Sequence, residues 1–326
     1  MRSGTQSAVV VAALLVAGAV LSMASVQPTR AGSGTGSRQG TVIAAGDIAD
    51  CSQNGGRNRS ERVAATAAAV AGILRKRPDA VVAALGDNAY RSGTLEEYET
   101  CFDRFWGSFK HAIRPAPGNH EYDYAAPNDA RGYFTYFGAA AGEPGKGWYS
   151  YDIGAWHVIV LNTNGRARGG TDCRWVACGR DSEQMAWLNA DLAAHADVAC
   201  TLAYFHHPRF SSGNHGDQKQ VDPIWRALAG NGVDVVLNGH DHHYERWQPR
   251  DVTGKIDPAG MREFLVGTGG GSLYRVTSTG RSEELKEDVW GVLRLTLLGS
   301  GYDWVFTATP NSPAGPYMDA GAGECH

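Results

Sequence analysis

VDVVLNGHDHHYER, residues 233–246, sets an apolar run against three histidines within four positions, His240, His242 and His243. Val233–Leu237 has the length and β-branched content of a buried strand. A strand that ends on so much imidazole is either running into a polar loop or delivering ligands to a metal. The choice turns on whether other strands in the chain end the same way. Four do. TVIAAGDIAD (41–50), AVVAALGDNAY (80–90), IRPAPGNHEY (113–122) and CTLAYFHHP (200–208) each pass from an extended run into Asp, Asn or His.

Helical patterns lie between these runs. SERVAATAAAVAGILRKR (60–77) places apolar residues at helical spacing, begins with a cap-like Ser60 and ends on basic residues before Pro78. LEEYETCFDRFWGSF (95–109), DSEQMAWLNADLAAHA (181–196, opened by Asp181 or Ser182) and VDPIWRALAGNG (221–232) read as helices. WYSYDIGAWHVIVLNTN (148–164) alternates like a hairpin, and FLVGTGGGSLY (264–274) and VLRLTLLGSGYDWVFTAT (292–309) are β-rich. Helices alternating with strands early, then hairpins late, predict one layered α/β domain with mixed sheets.

In open α/β sheets ligands gather beyond strand ends. Taken singly, a Gly-Asp after a strand is a turn. Taken together, the five endings supply Asp47, Asp87, Tyr90, Asn119, His120, His206, His240 and His242. Oxygen and imidazole donors without thiolates suit Zn, Fe or Mn. They exceed the needs of one ion and suggest a pair about 3.5–4 Å apart, the spacing that clamps attacking and leaving oxygens in phosphoryl chemistry.

The ordered set GDIAD, GDNAY, GNHE, FHHP, GHDH resembles the calcineurin-like metallophosphoesterase superfamily, and within it the purple acid phosphatases. Many members of the superfamily place a His ligand two residues after the first Asp; this chain has Ala49 there. The purple branch instead uses a Tyr three residues after the second Asp, which is Tyr90. The resemblance implies an α/β/β/α sandwich of two mixed β-sheets flanked by helices. It also implies two metal ions, Fe(III) held by Asp47, Tyr90 and His242 and a divalent ion (Zn, Fe or Mn) held by Asn119, His206 and His240, with Asp87 bridging. His206 holds the family's His-x-Pro position. His120 and His215 match two non-ligand histidines that contact phosphate or protonate the leaving group.

The implied function is hydrolysis of phosphate monoesters by attack of a metal-activated water or hydroxide on phosphorus, with histidine-assisted leaving-group protonation. A phosphodiesterase or phospholipase-type hydrolase on the same metals is the alternative. A non-catalytic metal- or phosphate-binding protein is a third reading, which the non-ligand His120 disfavours. His111, His157 and His195 are read as packing residues. His207 and His243 adjoin ligands and are read as groups that orient them.

The chain has 326 residues and a formal net charge of −4. Arg2 followed by the apolar run Ala8–Met23 is short for a membrane span and reads as a Sec-type secretory signal, residues 1–31. No Cys adjoins the cleavage options, which disfavours a lipoprotein. Losing Arg2 and Arg30 takes the charge from −4 to −6, and no basic block marks a nucleic-acid footprint. The expected organisation is a short linker at 32–40, a catalytic domain at 41–310 and a C-terminal tail at 311–326, a compact single-domain form. It would be secreted, free of the membrane after signal cleavage, and act on a small phosphate ester. Six Cys in an exported chain read as disulfides, with Cys173 and Cys178 able to close a short loop and the other pairings open.

Overall fold

Period-two alternation decides which neighbour each strand side chain meets. In β1 (Gly40–Ala45), Val42 and Ala44 face one way and Ile43 and Ala45 the other, and all are buried. A strand apolar on both faces must lie between two layers. The computed structural model describes Met1 and residues 39–51, 58–123, 127–164 and 179–326, and it places β1 in that position. β2 (Val81–Leu85) and β3 (Ile113–Ala116) extend the sheet in parallel from β1. On its other side run β11 (Gly291–Leu297), β12 (Gly301–Ala308) and β13 (Met318–Glu324), all antiparallel.

The second sheet contains β4 (Tyr149–Ile153), β5 (Trp156–Val160), β6 (Cys200–Tyr204), β7 (Val235–Asn238), β8 (Tyr244–Arg246), β9 (Arg262–Val266) and β10 (Glu284–Lys286). Its order is β10-β8-β9-β7-β6-β5-β4, with β5, β6, β7 and β9 parallel. Val42, Ala44 and Leu85 of one sheet pack against Val158, Leu202, Leu237 and Phe264 of the other. Outside the first sheet, Ile43 and Val82 meet Val63 and Val70 of helix Asn58–Leu74, together with Phe102 and Trp106. Outside the second, Ile159 and Val236 meet Leu188 of helix Glu183–Ala194 and Trp225 of helix Asp222–Gly230. The layers are therefore α/β/β/α, two mixed sheets between helices.

Two local expectations change and one open choice is resolved. Ser60 lies inside the first helix, which is already formed at Asn58, and so is not its cap. Ser182 is the cap of helix Glu183–Ala194, accepting from the Met185 amide. Residues 311–326, expected as a tail, instead supply β13, which pairs along β12 from Thr307↔Met318 to Gly301↔Glu324. Cys325 is then disulfide-bonded to Cys200 at the start of β6, and Cys51 to Cys101. A polar, Gly-rich segment carries little strand signal of its own; the free edge of β12 decides it. The leader reading falls almost wholly outside the described residues, and the Cys173–Cys178 loop lies outside them. Among the described residues no helix is long and apolar enough to cross a membrane.

His157 packs in β5, as expected, but it also carries charge. Its Nδ1 lies 2.9 Å from Asp152 Oδ1 and its Nε2 2.9 Å from Asp191 Oδ2, while its ring stacks on His195 at 3.6 Å. Carboxylates only accept, so both ring nitrogens donate and the ring is an imidazolium. Burial favours the neutral form, but Asp191 and Asp152 override it and raise the pKa. A raised folded pKa gives stability that is complete below the unfolded value of about 6.5 and fades as pH rises through the folded value. Replacing His157 by Gln is therefore expected to cost about 1–2 kcal/mol at pH 5 and less at pH 9, read from urea midpoints. Equal losses at both values would show a neutral ring.

Candidate metal centre

The C-terminal ends of β1, β2 and β3 in one sheet, and of β6, β7 and β9 in the other, open at the same edge of the sandwich. Backbone bonds lock the loops there: Gly46 donates to Val266, Asp47 to Gly86 and Gly239 to His206. Asp47, Asp87 and His240 take positive φ of 58°, 50° and 74°. Residues with a Cβ resist that region at roughly 1–3 kcal/mol each, and such strain concentrates at functional sites. The neighbouring glycines make the turns feasible. Gly86 has φ 89°, and a Cβ on Gly118 would lie 2.1 Å from Asp87 Oδ1.

Two donor groups meet at one carboxylate. The Tyr90 hydroxyl donates to Asp47 Oδ1 at 3.0 Å and lies 3.1 Å from His242 Nε2 and 3.4 Å from Asp87 Oδ2. His242 Nε2 is itself 3.1 Å from Asp47 Oδ1. In the second group, His206 Nε2 lies 3.1 Å from Asn119 Oδ1 and 3.3 Å from Asp87 Oδ2, and the His240 ring is 5.1 Å from that of His206. Donors held about 2.1 Å from one ion stand about 3.0 Å apart in octahedral and about 3.4 Å apart in tetrahedral geometry. The separations among Asp47, Tyr90, His242 and Asp87, and those of His206 from Asn119 and Asp87, fit this spacing; His240 adjoins the second group through its ring, and Asp87 Oδ2 belongs to each group.

The remaining atoms of these residues are committed to holding them still. Asp47 Oδ2 accepts from the His240 amide at 2.9 Å, and Asp87 Oδ1 from the His120 amide at 2.8 Å. That leaves Asp47 Oδ1 and Asp87 Oδ2 for ligation. His206 Nδ1 donates to the Leu85 carbonyl and His242 Nδ1 to the Ser272 carbonyl, so Nε2 is the nitrogen each ring can offer a metal. His120 obeys the same rule: Nδ1 donates to the Arg91 carbonyl at 2.7 Å, and Nε2 stands 3.7 Å from Asp87 Oδ2, too long for a direct bond.

Charge is tightly coupled here. Burial works to raise the Asp87 pKa, but His206 and His120 override it and hold the carboxyl well below its usual range. Burial lowers the His206 pKa, yet Asp87 wins and raises it to about 9. His207 is pushed down to about 3 by burial and by His206, and His240 falls well below the usual range through burial and His207. Burial, Asp47 and Asp87 drive the Tyr90 phenol far upward, so its anion needs a strong adjacent positive charge. Two carboxylates, a phenol, two imidazoles whose positive charge these carboxylates favour (His206 and His242) and one held neutral (His240) are a donor set in which a cation would take the place of the ring protons.

All nine residues singled out from the sequence gather at this edge. His215 lies over the centre, its ring 4.2 Å from that of His240. His207, read as an orienting group, lies against His240 with ring centroids 4.4 Å apart and planes tilted by 52°, and its Nδ1 lies 2.9 Å from Thr163 Oγ1. Three contributors escaped the sequence reading. Glu121 is buried and accepts from the amides of Asp87, Asn88 and Gly118 and from the Tyr98 hydroxyl, tying two ligand loops together. Its place in GNHE was the available signal. Tyr274 stacks on His242 at 3.9 Å, and Asp241 holds His215; neither has a local pattern that marks it.

The family model for calcineurin-like phosphoesterase matches residues 40–244. Purple acid phosphatase 18 of Arabidopsis thaliana is 25% identical over 264 residues, covering 68% of this chain and 55% of its own length. Purple acid phosphatase 15 of the same plant is 28% identical over 190 residues, covering 54% of this chain and 33% of its own. The chain thus spans between a third and little more than half of these relatives. Among solved structures, the purple acid phosphatase PPD1 of yellow lupin (Lupinus luteus) shares the fold, with a TM-score of 0.70 at 20% identity over 88% of this chain and 54% of that one.

Proposed function

We propose, from the premise that this chain belongs to the calcineurin-like phosphoesterase family, that it is a secreted binuclear-metal enzyme hydrolysing phosphate monoesters. The observation that carries the reading is the pair of donor groups sharing Asp87 Oδ2. Asp47, Tyr90 and His242 would hold an Fe(III) ion, since a buried phenol is most readily ionised by a hard trivalent cation. Asn119, His206 and His240 would hold Zn, Fe or Mn. When bound, the two ions neutralise phosphoryl oxygens and lower the pKa of an attacking water.

The chain's own residues then complete the chemistry. Asp87 fixes the separation of the two subsites. His120, anchored through Nδ1, presents Nε2 beside the bridging carboxylate and in its protonated form donates to the leaving oxygen. Glu121 keeps the loops bearing Asp87 and Asn119 in register, so the phosphoryl group meets a preorganised site. The likeness to purple acid phosphatases supports the monoester choice, and the leader-like apolar run Ala8–Met23, with two disulfides, supports export.

The deciding experiment is hydrolysis of a chromogenic phosphate monoester and its matching diester, with Asp87→Ala as the blank. Monoester preference that vanishes in the blank supports the proposal. Diester preference moves the function to a phosphodiesterase on the same site. Bound metal without turnover of either points to a binding protein. For the metal, Tyr90→Phe is expected to abolish a visible phenolate-to-Fe(III) absorption band while the protein stays folded. A colourless oxidised native protein without iron would rule out the ferric assignment and leave a phosphoesterase with other ions.

A further inference from the structure

The segment GHDHHYER carries more acid and imidazole than two metal subsites use. His240 and His242 serve the centre. Asp241 and Glu245 are wholly buried between and beyond them and bond instead to the loop that bears His215. Ser211 Oγ donates to Asp241 Oδ2 at 2.5 Å and accepts from the Gly213 amide at 3.0 Å. Asp241 Oδ1 accepts twice from His215, from its amide at 3.0 Å and from Nδ1 at 2.8 Å. The Ser212 amide donates to Glu245 Oε2 at 2.9 Å, and His243 Nε2 lies 3.1 Å from that oxygen. A Cβ on Gly213 would fall 2.6 Å from Asp241 Cγ and 2.7 Å from His243 Cε1, so the loop lies directly on these side chains.

We propose that Asp241 is a positioning residue for His215, fixing its ring with the proton on Nδ1 and leaving Nε2 as the nitrogen that meets substrate. A carboxylate oxygen can only accept, so the shared proton belongs to the imidazole. The His215 ring is otherwise a partly exposed side chain on a surface loop, lying on His240 and edge-on to Tyr274 at 5.3 Å. Without Asp241 it loses the bonds that set its tautomer and its angle. The alternating segment thus does two jobs: His240 and His242 reach the metals, and Asp241 between them orients a group above the metals. This inference rests on the phosphoesterase reading for its kinetic consequence but not for its geometry.

The test is a double-mutant cycle on the metal-loaded full chain with an aryl phosphate monoester. Asp241→Ala is expected to lower kcat about 10–100-fold, the scale for losing a group that orients a site residue, with metal content unchanged. Asp241→Asn keeps an accepting oxygen and recovers most of the rate. In a His215→Ala background Asp241→Ala has no further effect, since both changes remove one unit. Losses that add, or metal released from Asp241→Ala, overturn the proposal and make Asp241 a support for the ligands beside it. Nitrogen NMR of the histidine-labelled, zinc-loaded protein tests the pairing without turnover. A His215 proton on Nδ1 that is lost in Asp241→Ala supports it, and a proton on Nε2 in the native protein overturns it. If the native chain hydrolyses no ester, the functional reading falls while this spectrum still decides the geometry.

Discussion

Asp87→Ala is expected to empty both metal subsites and to lower monoester hydrolysis by about 10⁴-fold or more, the scale on which a whole catalytic unit fails. The size of the effect follows from geometry. Asp87 Oδ2 stands 3.4 Å from the Tyr90 hydroxyl and 3.3 Å from His206 Nε2, so one atom completes both donor sets. Asp87 Oδ1 holds the His120 amide, so the substitution also frees the loop carrying Asn119 and His120. The side chain is 2% exposed, and no water can replace its charge at that depth. Metal per chain, measured by mass spectrometry beside turnover, checks it. Asp87→Asn is the control for packing, because it preserves the Oδ1 acceptor while removing the charge. A variant that keeps two ions per chain would show that Asp87 does not bridge.

His120→Ala is expected to behave oppositely in one respect: turnover falls about 10²–10⁴-fold, the usual worth of a positioned proton donor, while metal content stays intact. Its backbone amide, which binds Asp87, survives the substitution, and its ring touches Tyr90 at 4.5 Å without serving as a ligand. The loss should depend on the leaving group. Esters of acidic phenols need little protonation and should lose least, whereas alkyl esters should lose most. A uniform loss across leaving groups would assign His120 to phosphate binding and not to proton transfer. An unchanged rate would remove it from the mechanism.

The cluster of donors was legible in the chain because each candidate ligand sits in a short pattern whose meaning is local. An apolar run, a glycine that allows a sharp turn and a polar residue with the right donor atom occupy four or five consecutive positions, as in ALGD (84–87) or LNGH (237–240). The layered architecture was legible for the same reason, since strands apolar on both faces and helices apolar on one require covering layers. Residues whose work depends on a distant partner were not. Glu121 looks like any acid until the loops of Asp87 and Tyr98 fold around it, and His157 shows only strand alternation until Asp191 arrives from a helix. The last strand, Met318–Glu324, has a weak pattern of its own and is decided by the edge it joins.

By itself, then, the sequence determined which donor atoms stand at strand ends, because side-chain chemistry and backbone turns are set within a few residues. Only the tertiary structure decided that Tyr90 and His242, 152 residues apart, meet, that Asp87 Oδ2 lies beside both Tyr90 and His206, and that Asp241 turns to His215. Those relations come from two sheets opening at one edge. Which loops meet there depends on long-range pairing such as that of β1 with β11, which no local pattern encodes.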